Sequence, residues 1–397
     1  MQKLLQHLIQ ECVYLLLLPL DILIPKRKDW WVFTAKDRLP WCDNMRSMVD
    51  RTLLDESITT IILLSGREPR PDIEKIYKDA KVIVARRASA AGVWYFLRSK
   101  VCFIAYSNFD LFSVIVPQFR HIIINLWHGV PIKSIAMAEP KNANIQRKIL
   151  NPHYKFCNYI ISSSHVDRLA MSACMMHNPN NVWITGLPRN DLMFNQTQLP
   201  DDLVTEELRL LKVLSGKKLM LYAPTFRDSQ DSSNSFSSQK ILSKLASLAK
   251  EHDFVLGIRK HPIDSSLKID DVYGVLDCNS MVYSNPQILL RNTEILITDY
   301  SGIWLDYLLL DKPIIGFCYD FEEYMSDRSF LYDFEGIFPG KVAKTEVDFI
   351  TTVAEALAGK DTFKQKRKTV SDMFLYYKDN KATERVFQNV INVSNCS

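Results

Sequence analysis

The sequence predicts an α/β protein made of two doubly wound parallel-sheet domains. Short, almost wholly apolar runs at 101–106, 295–297 and 314–317 have the length and character of strands buried on both faces. Segments of helical length separate such runs, the alternation expected of βαβ units. Three runs in the second half end in polar clusters, the place where a strand of such a sheet meets its ligand. At 397 residues the chain exceeds one core on a prior of ~150 residues per domain. Two domains are therefore expected, 30–200 and 201–378, between an N-terminal segment 1–29 and a C-terminal segment 379–397.

Composition narrows the function classes. Apolar residues make up 47% and charged residues 24%, as in an ordinary globular protein. The net charge of +4, from 49 basic and 45 acidic residues, is too small to argue for nucleic acid as a partner. Any basic surface is local. The eight cysteines show no Cys-x-x-Cys pair and no zinc spacing. Several lie inside apolar runs and read as buried free thiols of a reducing cytoplasm.

Residues 1–29 carry a leucine-rich stretch, 4–24, interrupted by Gln6, His7, Gln10, Glu11, Pro19 and Asp21. It falls short of the ~20 predominantly apolar residues of a spanning helix. No small-residue cleavage site follows it, as one would after a signal peptide. The basic run Pro25-Lys26-Arg27-Lys28 and the pair Trp30-Trp31 come next. This mixture suits a segment lying in the interface of an anionic membrane surface; the alternative is a buried first helix of the domain. On either reading the chain stays on the cytoplasmic side.

In the first domain, strands are expected near 31–33, 58–64, 81–85, 101–106, 121–126, 159–163 and 182–184. Helices are expected at 46–54, 73–80, 88–100 and 166–176. No Gly-x-Gly-x-x-Gly follows any strand, so a dinucleotide fingerprint is missing. The chemically pointed loop is Trp127-His128-Gly129-Val130-Pro131-Ile132-Lys133. Gly129 permits an unusual turn and Pro131 restricts the backbone beyond it, which places His128 at a strand's carboxyl end in a rigid loop. Histidine is the side chain most readily tuned to take a proton near neutral pH; the plainer alternative is a histidine satisfied near the core. Lys141, Arg147, Lys148 and Lys155 form either a basic face for an anionic acceptor or a solvated helix face. The turn 185–191, with Arg189 and Asp191, and the looser, charged stretch 199–218 mark the domain boundary.

In the second domain a strand at 218–222 runs into Ala223-Pro224-Thr225-Phe226-Arg227-Asp228. A Ser/Asn/Gln-rich loop comes next at 229–239, expected to be mobile, and then a helix at 241–250. The strand at 254–258 ends in Arg259-Lys260-His261-Pro262, before a poorly patterned stretch. The strand at 295–297 ends in Thr298-Asp299-Tyr300-Ser301-Gly302, before a helix at 303–310 and a strand at 314–317. Ser301 is a good N-cap: either it only caps the helix, or the N–H groups behind it also hold a phosphate. In a doubly wound sheet these three strand ends lie along one edge. Hydroxyls, guanidinium groups, an imidazole and a helix N-terminus gathered there make a site for a phosphorylated ligand.

Seven segments occur in a telling order: WHGVPIK (127–133), TGLPRND (185–191), YAPTFRD (222–228), RKHP (259–262), TDYSGIWLDY (298–307), DKPII with YDFEEY (311–324), and DNKATERV (379–386). Together they resemble the CDP-glycerol glycerophosphotransferase family, which builds teichoic acids and related phosphopolymers, over about residues 30–390. The resemblance implies a GT-B arrangement, two Rossmann-like domains facing a cleft, with the nucleotide held mainly by the second. It also implies a C-terminal segment that returns to the first domain. By position, His128 is similar to the family's catalytic base and His261 to a second catalytic histidine beside the donor pyrophosphate. Thr225, Arg227, Arg259, Asp299, Tyr300, Ser301 and Gly302 match its donor and phosphate-binding motifs. Gly129, Lys133, Arg189, Asp191 and Asp306 match supporting positions. Two departures stand out: Val130 where the family often has Thr, and Gly302 where a second Ser is common, which changes one phosphate contact. The extra N-terminal region common in the family's polymerases is lacking, which points to a compact transferase.

The reaction the resemblance implies moves glycerol phosphate from CDP-glycerol to an acceptor hydroxyl and releases CMP. The acceptor would be a teichoic-acid-like or capsular polymer or its lipid-linked precursor. No carboxylate cluster has metal-ligand spacing, and neither a metal nor a cofactor is expected. The alternatives are CDP-ribitol as donor, a GT-B glycosyltransferase using a nucleotide sugar such as a CMP-sugar, and a non-catalytic membrane-associated scaffold. The intact His128 and His261 motifs argue against the scaffold.

Overall fold

A computed structural model of the chain describes residues 2–36, 40–66, 68–112, 116–139, 157–225, 238–260 and 274–396. The basic run 141–155, most of the Ser/Asn/Gln-rich loop, Arg227 and His261 lie outside the described residues. By contact the chain falls into two units. Met1–Gly129, Ile135–Asp191 and Lys381–Ser397 form the first; Val130–Ser134 and Leu192–Asn380 form the second.

The first unit opens with helix α1 (Gln2–Leu23). Its strands are β1 (Arg27–Ala35), β2 (Thr59–Leu64), β3 (Val82–Arg86), β4 (Ser99–Ile104), β5 (Ile122–Asn125), β6 (Tyr159–Ser162) and β7 (Val182–Ile184). They form one sheet in the order β3-β2-β1-β4-β5-β6-β7, with every pairing parallel. Helix α2 (Asp43–Thr52) follows β1, α3 (Ala90–Arg98) precedes β4 and α4 (His165–Met175) follows β6. On one face Val32, Ile61, Cys102, Ile123 and Ile160 pack with Phe96 of α3 and Met171 of α4. Alternate residues turn to the other face, where Phe33 stacks on Phe103 at 4.5 Å and Trp31 meets Phe387 at 5.3 Å. Phe387 belongs to the C-terminal helix, Ala382–Asn395. Burial on both faces is why these strands read as unbroken apolar runs.

The second unit holds β8 (Lys218–Ala223), β9 (Phe254–Ile258), β10 (Val275–Asp277), β11 (Thr293–Thr298), β12 (Ile314–Phe317) and β13 (Lys341–Ala343). Their order is β10-β9-β8-β11-β12-β13, again all parallel. Met220, Leu256, Ile295 and Ile297 pack on one face against the helices Ser238–Glu251 and Glu346–Leu357. Counted from its own first strand, this sheet runs 3-2-1-4-5-6, and the first sheet does the same with a seventh strand added. That is the Rossmann order. It reverses between β1 and β4 and between β8 and β11, the points where a crevice opens at the strands' carboxyl ends.

Several expectations are corrected. β1 opens at Arg27 because Arg27 already pairs with Ser99. For the same reason the helix expected over 88–100 stops at Arg98. Lys26 does not stand in a lipid-facing basic run: its ammonium lies 2.6 Å from Asp21 and donates to the Leu97 carbonyl. The charged stretch 199–218 is not loose, since Asp201–Leu214 is a helix with Leu203, Leu210 and Leu214 buried at helical spacing. The helix expected at 303–310 is a five-residue α-helix, Ile303–Tyr307, closed by the 3-10 turn Leu308–Leu310. Of the free cysteines, Cys12 and Cys396 are exposed and Cys42 is half-buried; the other five are buried.

Candidate active site

In the first unit the site begins at the end of β5. The Asn125 side chain accepts the Trp127 N–H at 2.9 Å, an Asx-type turn, and its amide donates to the Tyr106 carbonyl at 3.2 Å. The turn drives Trp127 to φ 45°. Left-handed backbone costs a non-glycine residue about 1–2 kcal/mol and persists only where the surroundings over-determine it. Asn44, buried in the first turn of α2, does so. Its Nδ2 donates to the Leu126 carbonyl at 2.9 Å and the Trp127 carbonyl at 3.0 Å, while its Oδ1 accepts the Arg189 N–H at 3.1 Å. The Arg189 guanidinium then donates to the His128 carbonyl at 2.7 Å and pairs with Asp43 at 2.7 Å. Gly129 sits at φ 140°, and a Cβ there would come within 2.9 Å of Arg189 Nη2. The backbone angle calls for glycine, and a side chain there would also push the Arg189 guanidinium aside.

The His128 ring stacks on Tyr106 at 4.3 Å and lies 4.5 Å from the Trp127 ring. The two ring contacts set its orientation; in the neutral ring one nitrogen donates and the other accepts. Burial of the ring's surroundings dominates its titration, Asp43 opposes it, and the cations of Arg189 and Lys36 reinforce it. The net result holds the pKa down to about 4. His128 itself is solvent-exposed, and water at the ring works against the burial effect. At neutral pH the imidazole is unprotonated and able to accept a proton. Lys36, just past β1, lies 3.2 Å over the Tyr106 ring and 3.4 Å from Asp110. Asp110 in turn accepts the N–H groups of Ala105, Tyr106 and Ser107. The ends of β1, β4 and β5 thus gather Lys36, Tyr106 and His128 at the first sheet's reversal point. Sequence reading missed Lys36, Asp43, Asn44 and Tyr106 as site residues. The available signals were the Asp-Asn pair opening a helix and an Asn two residues before Trp127, both Asx-turn signatures.

In the second unit the reversal point lies between β8 and β11. Thr225 follows β8 and Asp299 follows β11. The Thr225 N–H donates to both Asp299 oxygens at 2.9 and 3.1 Å, and its hydroxyl donates to Oδ1. Asp299 is 2% exposed, and its charge would repel an anion; it positions the loop after β8. Ser301 Oγ accepts the Ile303 N–H at 3.3 Å, but the N-cap position itself falls on Gly302. Behind it stands a helix of only five residues, so the segment offers an anion its local N–H donors rather than a macrodipole. A Cβ on Gly302 would meet only the Val130 carbonyl, at 3.7 Å, so a serine would fit there.

The remaining expected residues serve the framework. Tyr300 is fully buried, stacks on Tyr324 at 3.8 Å and donates to Asp320 at 3.0 Å. Arg259 donates to the carbonyls of Cys278 and Tyr283 at 3.0 and 2.8 Å. Asp306, buried, accepts from Gln287 at 3.2 Å. Lys133 bridges to Phe330 in the second unit, with its ammonium 5.3 Å over the Tyr324 ring. Asp191 accepts the N–H groups of Ala382 and Thr383 at 2.9 and 2.8 Å, tying the 185–191 turn to the start of the C-terminal helix. Structure therefore groups His128, Gly129 and Arg189 in one unit and Thr225, Asp299 and Ser301 in the other. Among the described residues, no three His, Cys, Asp or Glu side chains gather as metal ligands.

Comparison with known proteins agrees with this architecture. The family described as CDP-Glycerol:Poly(glycerophosphate) glycerophosphotransferase matches residues 18–392. Relatives in Bacillus spizizenii include a teichoic acid poly(ribitol-phosphate) polymerase, 27% identical over 310 residues, 75% of this chain and 47% of the relative. A teichoic acid ribitol-phosphate primase from the same species is 23% identical over 391 residues, 92% of each chain. Its teichoic acid poly(glycerol phosphate) polymerase is 26% identical over 329 residues, 80% of each. The chain spans about half the length of the ribitol-phosphate polymerases it matches. Among solved structures, the wall teichoic acid polymerase TagF superposes with a TM-score of 0.76 at 19% identity, covering 93% of this chain and 90% of that one. Likeness at that identity is one of fold, a GT-B-like pair of parallel-sheet α/β units. With the match running through nearly all of its length, the chain belongs to the CDP-glycerol:poly(glycerophosphate) glycerophosphotransferase family.

Proposed function

We propose that the protein transfers glycerol phosphate from CDP-glycerol to a hydroxyl of a teichoic-acid-like or capsular polymer, or of its lipid-linked precursor, at the cytoplasmic face of the membrane. The observation that carries this reading is the His128 loop, a neutral imidazole held in a braced turn within a chain matched to the family from 18 to 392. The acceptor oxygen bonds to the phosphorus that bears glycerol as its proton passes to His128. The bond from that phosphorus to the bridging oxygen breaks, and CMP leaves with the electron pair. Phosphoryl transfer asks a protein mainly for positioning and charge stabilisation. Thr225 and the N–H groups after Ser301 meet the pyrophosphate in this scheme. Arg227 and His261 stabilise charge on the pyrophosphate oxygens there, roles that rest on the family resemblance. A TagF variant soaked with CDPG is in keeping with a donor of this kind.

The test is to offer the purified protein CDP-glycerol, CDP-ribitol and CMP-sugars, and to measure CMP release and product mass. CDP-glycerol turnover with a glycerol-phosphate increment is expected; a CMP-sugar as the sole productive donor overturns the proposal. His128→Ala should abolish CMP release and leave nucleotide binding largely intact, and full activity in that variant sinks the base assignment. One observation favours a second reading: several relatives are named for ribitol phosphate. Preferred turnover of CDP-ribitol would establish it.

A further inference from the structure

The helix Asp201–Leu214 of the second unit carries two apolar stripes where a surface helix ordinarily carries one. Leu203, Leu210 and Leu214 are buried, Leu203 packing with Leu192, Leu199 and Ile288. Val204, Leu208 and Leu211 recur at the same helical spacing on the outside, 38%, 61% and 46% exposed. Polar bonds lock the helix against rolling to cover them. Buried Glu206 accepts the N–H groups of Ser284 and Asn285 at 3.0 and 3.2 Å and the Ser284 hydroxyl at 2.8 Å. Glu207 pairs with Arg291 at 3.0 Å, and the Arg209 guanidinium donates to the Val282 carbonyl. A roll would strand the Glu206 carboxylate away from its donors.

Charge runs along this helix from acidic to basic. Asp201 and Asp202 stand in its first turn and Lys212 in its last. At 3.6 residues per turn, Asp201 and Lys212 lie on one edge of the outer stripe, about 60° and 80° round from Val204. Both are exposed. The outer face is thus an apolar seam with opposite charges at the two ends of one edge.

We propose that a second copy of this chain docks on the stripe Val204–Leu208–Leu211, the two helices running antiparallel about a two-fold axis beside Leu208. Val204 then faces the partner's Leu211, and the two Leu208 side chains meet at the axis. Asp201 comes within two residues, about 3 Å along the helix, of the partner's Lys212, inside the reach of a lysine's four-carbon stem. A two-fold interface is isologous, so this ion pair forms twice. Antiparallel helices set opposite charges together at both ends, whereas a parallel pair brings the two acidic starts together. Asp201, Asp202 and Glu207 beside the stripe disfavour an anionic bilayer as its occupant. One helix face is smaller than the ~800 Å² per partner of a standard interface, so the dimer is a weak one. The inference does not depend on the transfer reaction.

Sedimentation velocity of the full chain, without substrate, from about 1 to 300 μM reads the association. A monomer–dimer equilibrium is expected, lost in Leu208→Glu with the melting curve unchanged. Lys212→Asp should weaken the dimer roughly tenfold, since two symmetric exposed pairs turn from attraction to repulsion. Adding Asp201→Lys to Lys212→Asp should restore it to within about threefold, which separates this pairing from an unspecific apolar contact. A parent chain that stays monomeric, a dimer that persists in Leu208→Glu, or a double variant no better than Lys212→Asp overturns the proposal. So does capture of the parent by phosphatidylglycerol vesicles that Leu208→Glu prevents.

Discussion

At Trp127 the backbone turns left-handed, and Asn44, more than eighty positions earlier, holds two carbonyls of that turn and the Arg189 N–H. Asn44→Ala strands these groups. At roughly 1–3 kcal/mol for a buried polar group left unmade, with partial relaxation, stability should fall by about 2–4 kcal/mol. On the proposed mechanism kcat should fall while KM changes less, because a displaced His128 would lose its alignment with the reacting atoms; urea unfolding and steady-state kinetics check both. The His128 pKa lies below its ordinary value, so activity should rise with pH through an acid limb under about 6.5. Asp43→Asn removes the charge that raises that pKa and should move the limb lower; an upward move contradicts the electrostatic account. Linkage has the same sign. A folded pKa below the unfolded one gives stability in place above about 6.5 and lost as pH falls through the folded value. The motif around His128 was legible because Gly and Pro punctuate it. Its supports were not, since Asn44 and Tyr106 meet it only through the fold. Tyr300 and Ser301, adjacent in one motif, also part company: one packs inside and the other accepts the Ile303 N–H ahead of the helix.

Among elements, the C-terminal helix depends on a residue outside it. Asp191 accepts two N–H donors at the helix start, where a carboxylate also meets the positive end of the helix. Burial raises its pKa, opposed by its bonds to Thr383 and Ala382 and by Arg385. Asp191→Ala should cost about 1–2 kcal/mol and speed hydrogen exchange first at 382–386. Central strands were readable because burial on both faces leaves no polar side to confuse the pattern. The helix Asp201–Leu214 was not, because its buried leucines are spread among charges. Val275–Asp277 and Lys341–Ala343, three residues each, are too short to carry any period.

On the scale of the molecule, the sequence shows two runs of alternating strands and helices but not the order in which strands lie. That order makes β8 and β11 neighbours and joins Thr225 to Asp299 across 74 positions. Asp299→Asn removes the charge from those bonds. With hydrogen bonds to charged groups worth about 1.5–3 kcal/mol, KM for CDP-glycerol should rise roughly tenfold or more, with a smaller loss in kcat. A rise in the acceptor's KM alone would count against Asp299 as the residue that sets the donor loop.

The meeting of Trp31 with Phe387 also bears on how the protein is made. A ribosome delivers β1 early and the C-terminal helix only after Leu192–Asn380 has been synthesised, roughly twenty to seventy seconds later at about 5–20 residues per second. Through that interval Trp31 lacks the Phe387 ring, and by its end the second unit already has its whole chain. The unit begun first is completed last, and a stalled or truncated chain carries an open aromatic face prone to aggregation.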